Sequence, residues 1–355
     1  MSLYWYNFRD LHPPQDREVY PGLDTWLSIY KACPLVMNDR MGYFKPPISI
    51  RIDPQTAFPD VTKRVPDSFE ECCLARALSI FEKAQNENKP IYLLFSGGLD
   101  STTVAISFLR TCPQTELRER LKIVTSTDAW IENPRFVRDH LVGKFEFLSS
   151  RYFGHFFDGR ALIVNGDLSE FGALAAQRIP ERPLVGSHKD IIFEYLLASG
   201  IRQSHAARWA EVLEADRQRC PVELPTLRDW LWWIRFGWTW QSNLFNTLGI
   251  MTTIGNHIET LGEFHERVYP FFGTEAFQLW MMIRNADRSP AKNMHRAFIR
   301  EYTHDDEWAA VKQKYHSFTS IMVRRKRIVA IDDTFHAYHD HARILEHYDP
   351  NNDFI

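Results

Sequence analysis

The hexapeptide Ser96-Gly97-Gly98-Leu99-Asp100-Ser101 carries the most specific chemistry in this chain. Two adjacent glycines let the backbone approach a ligand closely, and the two serines add hydroxyl donors, a set that suits a phosphate. Asp100 is a poor phosphate ligand by itself. It becomes useful if it holds Mg2+ that bridges phosphate oxygens, so an acid in this loop implies a metal. No Gly-Lys-Ser/Thr follows, so this is not a Walker loop.

The flanking elements decide how such a loop would work. Ile91-Tyr92-Leu93-Leu94-Phe95 is continuously apolar and follows Pro90, which predicts a buried parallel strand. Behind the loop, Val104, Ala105, Phe108 and Leu109 recur at helical spacing. Strand, glycine turn and helix in that order put the loop at a helix N-terminus, whose unpaired amides and partial positive charge bind an anion without a lysine. The bland alternative is a serine- and glycine-rich turn with Asp100 as a helix cap.

Leu121-Lys122-Ile123-Val124-Thr125 reads as a second strand, Asn133-Pro134 as the start of a helix reaching about Leu148, and Ala161-Leu162-Ile163-Val164-Asn165 as a third strand. The alternation predicts an α/β fold with a doubly wound parallel sheet, whose ligands sit at the carboxyl ends of the strands. Those ends carry the glycine loop, then Ser126, Thr127 and Asp128, then Gly166, Asp167, Leu168, Ser169 and Glu170.

Residues 1–65 are proline-rich, with a strand-like Ile48-Ser49-Ile50-Arg51-Ile52, and read as a small β-containing extension. Asp67 with Glu70 resembles a capping box opening a helix that ends near Asn86. From Ser187 the pattern is helical, with helices expected at 191–197, 204–218, 226–248, 274–285, 292–302 and 305–315. The expected division is an extension at 1–65, a nucleotide-handling α/β unit with a helical second half at 66–320, and a basic, His-rich segment at 321–355.

With 355 residues, 45% hydrophobic and 14% aromatic including 11 Trp, the chain can bury a large core, and nothing in it suggests disorder. A net charge of -3 gives no global reason to expect nucleic acid as a partner. The 5 cysteines are odd in number and include no Cys-x-x-Cys pair, which argues against a disulfide framework or a structural zinc site. Neither a signal peptide nor an apolar run of about 20 residues is present, so a cytoplasmic protein without a membrane partner is expected.

The loop resembles the signature of the N-type ATP pyrophosphatases, and more narrowly the synthetase domain of asparagine synthetases. Asn165-Gly166-Asp167-Leu168-Ser169-Glu170-Phe171-Gly172 is similar to that family's Gly-Glu/Asp-Gly-Ser/Ala-Asp-Glu segment, in which an acid joins the loop aspartate in holding magnesium. Glu170 falls nearest that acid, where the family usually has aspartate, and Asp167 is its rival. Glu266-Arg267-Val268-Tyr269-Pro270-Phe271-Phe272 resembles the Glu-x-Arg-Val-Pro-Phe-Leu segment, and Lys292-Asn293-Met294-His295-Arg296 the Lys-x-x-Leu-Arg segment whose lysine faces the phosphates. The family's glutaminase domain, with its N-terminal cysteine, has no counterpart: residue 2 is serine and too little chain precedes residue 91.

The resemblance implies an AMP-forming carbon-nitrogen ligase using ATP and Mg2+. A carboxylate substrate would attack the α-phosphorus of ATP to give an acyl-adenylate, which an amine or ammonia then consumes. The amine would arrive free, on the substrate, or from a separate amidotransferase partner. Mg2+ on Asp100 and Glu170 or Asp167, with Lys292 and Arg296, would stabilise the departing pyrophosphate, and Glu266 would accept the amine's proton. Ser96 to Ser101, Ser126, Thr127 and Gly166 would hold the nucleotide. Two rivals are a nucleoside- or tRNA-modifying enzyme of the same loop family and an ATP-binding protein without catalysis.

Other clusters read more plainly. Trp230, Trp232, Trp233, Trp238 and Trp240 are expected to pack helices together, and Arg324-Arg325-Lys326-Arg327 to be solvated. His336, His339, His341 and His347 match no zinc spacing.

Overall fold

The computed structural model describes residues 2–7, 11, 20, 22–32, 38–150, 156, 158–168, 181–251, 258–284, 292–311, 328–340 and 342–352. In chain order its strands are β1 (Leu3–Tyr6), β2 (Ile91–Phe95), β3 (Leu121–Thr125), β4 (Glu146–Ser149), β5 (Leu162–Asn165), β6 (Val268–Pro270), β7 (Ala330–Asp332) and β8 (Ala337–Tyr338). The chain falls into two compact units, one of Asp60–Gly172 and Ile250–Arg327, the other of Met1–Pro59, Ala173–Gly249 and Ile328–Ile355. Both are discontinuous, where the sequence reading expects contiguous segments at 1–65, 66–320 and 321–355.

The first unit is α/β, built on a five-stranded parallel sheet in the order β4-β3-β2-β5-β6. From β2 the chain moves outward through β3 to β4, then returns to the other side of β2 for β5 and β6. Connections therefore diverge between β2 and β5, and open α/β sheets generally bind ligands at the carboxyl ends of strands at such a point. Central position explains the apolar runs: Ile91, Leu93, Leu162, Ile163 and Val164 are fully buried. The helix Leu99–Thr111 follows β2 and is buried continuously from Ser101 to Phe108.

Two local expectations are corrected in this unit. The long helix Phe69–Asn86 is capped by Ser68, whose hydroxyl accepts from the Glu71 amide (3.0 Å), while the Glu71 carboxylate accepts from the Asp67 amide (2.7 Å). The cap thus lies one residue beyond the Asp67–Glu70 pair. The helix after Asn133 does not reach Leu148: it covers Pro134–Phe136, then widens over Val137–Leu141, where the Val142 amide donates to the Val137 carbonyl (2.9 Å). Gly143 turns the chain at φ +73°, and the following residues form edge strand β4 beside β3.

The second unit carries the antiparallel sheet β1-β7-β8, with Leu3 opposite Asp332 and Tyr6 opposite Ala330. The strand expected at 48–52 is instead a pair of isolated bridges, Leu3 to Ile50 and Ile48 to Tyr348. Helices His188–Ala198, Gln203–Arg217, Leu227–Trp238 and Trp240–Met251 follow, the last two separated at Thr239 where one helix over 226–248 is expected. Trp230, Trp232, Trp233, Trp238 and Trp240 are all at most 1% exposed, so they are packing residues. The buried Arg40 guanidinium lies 4.6 to 5.3 Å from the ring centroids of Phe236, Trp240 and Phe58. Among the described residues no helix is long and apolar enough to cross a membrane.

Candidate functional site

The glycine loop is shaped by close contact with the next strand-helix turn. Gly97 has φ +73°, and a Cβ there would lie 2.3 Å from the Ala129 carbonyl oxygen and 2.9 Å from the Glu132 Cβ. Only glycine fits this position without strain. Gly98, at φ -75° and ψ 170°, is extended and serves as the N-cap of Leu99–Thr111. The serines tie the loop together: the Ser96 amide donates to Ser101 Oγ (3.2 Å), the two hydroxyls are 3.2 Å apart, and Ser101 Oγ donates to the Gly98 carbonyl (3.3 Å).

Neighbouring strand ends meet the same loop. Phe95 pairs with Thr125 in register, which places Ser126, the N-cap of Thr127–Glu132, beside Ser96. On the other side, Gly166 follows β5, and a Cβ there would sit 3.1 Å from the Asp100 Cβ and 3.2 Å from the Ser101 amide nitrogen. The Asp167 amide donates to Asn165 Oδ1 (3.1 Å), folding the chain just after that strand. Ser96 to Ser101, Ser126, Thr127, Gly166 and Asp167 are therefore gathered at the carboxyl ends of β2, β3 and β5.

Lys292 closes the site from across the sequence. Its Nζ donates to both carboxylate oxygens of Asp100 at 2.7 Å, with the two side chains 21% and 34% exposed. Lys292 is the N-cap of Asn293–Thr303 and has a left-handed backbone at φ +54°, uncommon for a lysine. Arg296 lies one turn further along that helix and is half-buried.

His295 is the residue that sequence reasoning passed over. It is fully buried, edge-on to Phe69 and Phe272 with centroids at 4.8 and 5.2 Å. Its Nδ1 is 2.9 Å from Thr103 Oγ1, while Nε2 has no hydrogen-bond partner among the described residues and lies 3.7 Å from Asp100 Oδ1. Burial pushes its pKa down to about 3, the Asp100 charge opposes this, and the Lys292 charge adds to it, so the ring is neutral. Helical spacing was the available signal, since residues 292 and 295 share a face.

Glu266 is not brought to this site. It is exposed near the end of Leu261–Arg267, just before β6. Val268 pairs with Ile163 and Pro270 with Asn165, so Glu266 precedes the amino-terminal edge of the sheet. About four residues of extended chain, roughly 13 Å, separate it from the end where Gly166 lies. The structure therefore leaves Glu266, expected in the site, away from the glycine loop. Glu170, His341 and Arg324 to Arg327 lie outside the described residues.

Among the described residues no group of three or more His, Cys, Asp or Glu gathers to hold a metal ion. Asp100 nonetheless offers hard oxygen donors, and the Lys292 ammonium stands where a cation would balance that carboxylate. The donor chemistry therefore fits a divalent ion that brings further ligands of its own, water or phosphate oxygens. No protein-family model, no curated protein and no solved structure matches the chain.

Proposed function

We propose that this protein is an ATP-dependent, AMP-forming ligase of the ATP pyrophosphatase type, built on a doubly wound sheet, which adenylates a carboxylate and passes the acyl group to an amine or ammonia. The observation that carries this reading is the pairing of Lys292 with Asp100 at the mouth of a glycine loop that caps a buried helix. A helix N-terminus and an ammonium at the same loop match the charge that develops on departing pyrophosphate.

In this reading the loop backbone and the Ser96 and Ser101 hydroxyls hold phosphate oxygens, while Gly166 leaves room for Asp100 to face them. Asp100 and Asp167 supply oxygen ligands for Mg2+, which would neutralise phosphate charge when bound. Lys292 then moves from the carboxylate to the phosphates, a change of partner that leaves neither group bare. Arg296, one helical turn away, adds positive charge. Glu266 takes no part, so the amine's proton must leave to another group or to water.

Incubation with ATP, Mg2+, ammonia and a panel of carboxylic acids should release pyrophosphate and AMP with at least one acid. ADP and phosphate as products would overturn the assignment. Asp100→Ala should abolish the release.

A further inference from the structure

The ring of His295 is unused by the chemistry above, yet its Nε2, without a hydrogen-bond partner among the described residues, faces the loop carboxylate. Thr103 explains why. Its single hydroxyl proton is donated to the Leu99 carbonyl at 2.9 Å, one turn back in the helix. The oxygen can then only accept from His295 Nδ1, also at 2.9 Å. That assigns the proton to Nδ1 and leaves the Nε2 lone pair directed at the Asp100 side of the ring.

A buried lone pair 3.7 Å from a carboxylate oxygen is two acceptors facing one gap. Such a gap calls for a cation. Ligands about 2.1 Å from a tetrahedral ion stand about 3.4 Å apart, so the observed span closes on an ion with a shift of about 0.3 Å. Octahedral Mg2+ needs neighbouring ligands about 3.0 Å apart and accepts imidazole reluctantly. The Asp100 side, where the carboxylate is 34% exposed, gives the ion its way in.

We propose that His295 Nε2 and Asp100 together form a divalent-cation site that prefers ions taking imidazole nitrogen, such as Co2+ or Zn2+, over Mg2+. This deepens the reading of the same site as a nucleotide-handling centre. Thr103 is a positioning residue here, because it acts only by fixing the tautomer. The Lys292 ammonium is the competitor that the ion displaces from Asp100.

The test uses the full chain and Co2+ alone, without nucleotide, followed by visible absorption. One Co2+ should bind per chain, and Mg2+ should not compete below a hundredfold excess. His295→Phe, which suits the surrounding aromatic rings, should weaken binding at least tenfold, whereas Lys292→Met should tighten it several-fold. Imidazole 15N spectra of the metal-free wild type should show His295 protonated on Nδ1, a readout that survives if His295→Phe fails to fold. A proton on Nε2, or Co2+ affinity unchanged by His295→Phe, would overturn the proposal. Because no ATP is present, these outcomes are independent of whether pyrophosphate is ever released.

Discussion

Gly97 and Gly98 are neighbours in sequence, yet alanine should have opposite consequences at the two positions. At Gly97 the backbone is left-handed, φ +73°, which costs a non-glycine residue roughly 1–2 kcal/mol. The new Cβ would also meet the Ala129 carbonyl oxygen at 2.3 Å, about 1 Å short of an ordinary C···O approach. Forcing that overlap adds about 1–3 kcal/mol, for a total of about 2–5 kcal/mol. At Gly98 the backbone is extended and the nearest atom, Ser96 Oγ, is 3.3 Å away. Alanine there should be near neutral, helped by about 0.4–1 kcal/mol through lost freedom in the unfolded chain. Thermal unfolding followed by circular dichroism should place Gly97→Ala about 5–15 °C below wild type and Gly98→Ala within about 3 °C of it. Equal shifts, or the reverse order, would refute the loop geometry on which the site depends.

Removing the ammonium by Lys292→Met should lower pyrophosphate release about 10²–10³-fold, the scale of losing one charge-stabilising group, with unfolding temperature little changed. Glu266→Gln, on the far edge of the sheet, should leave turnover within twofold in the same assay. The second unit supplies a pH prediction. Burial of Asp216 raises its pKa to about 7, and among the described residues one of its oxygens has a partner, Trp238 Nε1 at 3.2 Å. The folded state then holds a proton that the unfolded chain has released, so stability falls as pH rises from about 4 to about 7 and levels off above. The decline attributable to Asp216 is up to roughly 4 kcal/mol. Denaturant midpoints at pH 5 and pH 8 should differ less in Asp216→Asn than in wild type; identical differences would show that Asp216 does not carry the effect.

The parts of the fold legible in sequence were those whose signal is local and unmixed. β5 is buried along its whole length and β2 buries Ile91, Leu93 and Phe95 while its other face is half-buried, so both keep apolar runs, and the glycine pair marks the turn by backbone need alone. β4 was missed because Glu146-Phe147-Leu148-Ser149 is a half-exposed edge strand that continues a helical-looking pattern. β1 pairs with residues more than 300 positions away, and nothing near Leu3 announces such a partner. The helix break at Thr239 is hidden because the tryptophan-rich run around it is buried on every side, which erases the amphipathic phase. Ser68 with Glu71 does satisfy the Ser-x-x-Glu cap pattern, so that cap was there to be read.

The candidate site divides the same way. Asp100 and its loop follow from residue types and spacing. His295 required the tertiary fact that the Asn293–Thr303 helix lies against the loop helix, bringing Thr103 within hydrogen-bond reach. Glu266 illustrates the converse: similarity of a short segment placed it in the site, and strand register places it at the opposite edge.

Carboxylate attack on the α-phosphorus of ATP, with cleavage between the α- and β-phosphates, is the step on which the proposed function turns. It is tested most directly by supplying acids labelled with 18O in the carboxylate, with ATP, Mg2+ and ammonia, and weighing the nucleotide product by mass spectrometry. AMP carrying one 18O atom from the acid is the expected product. Unlabelled AMP, or ADP with inorganic phosphate, would contradict it.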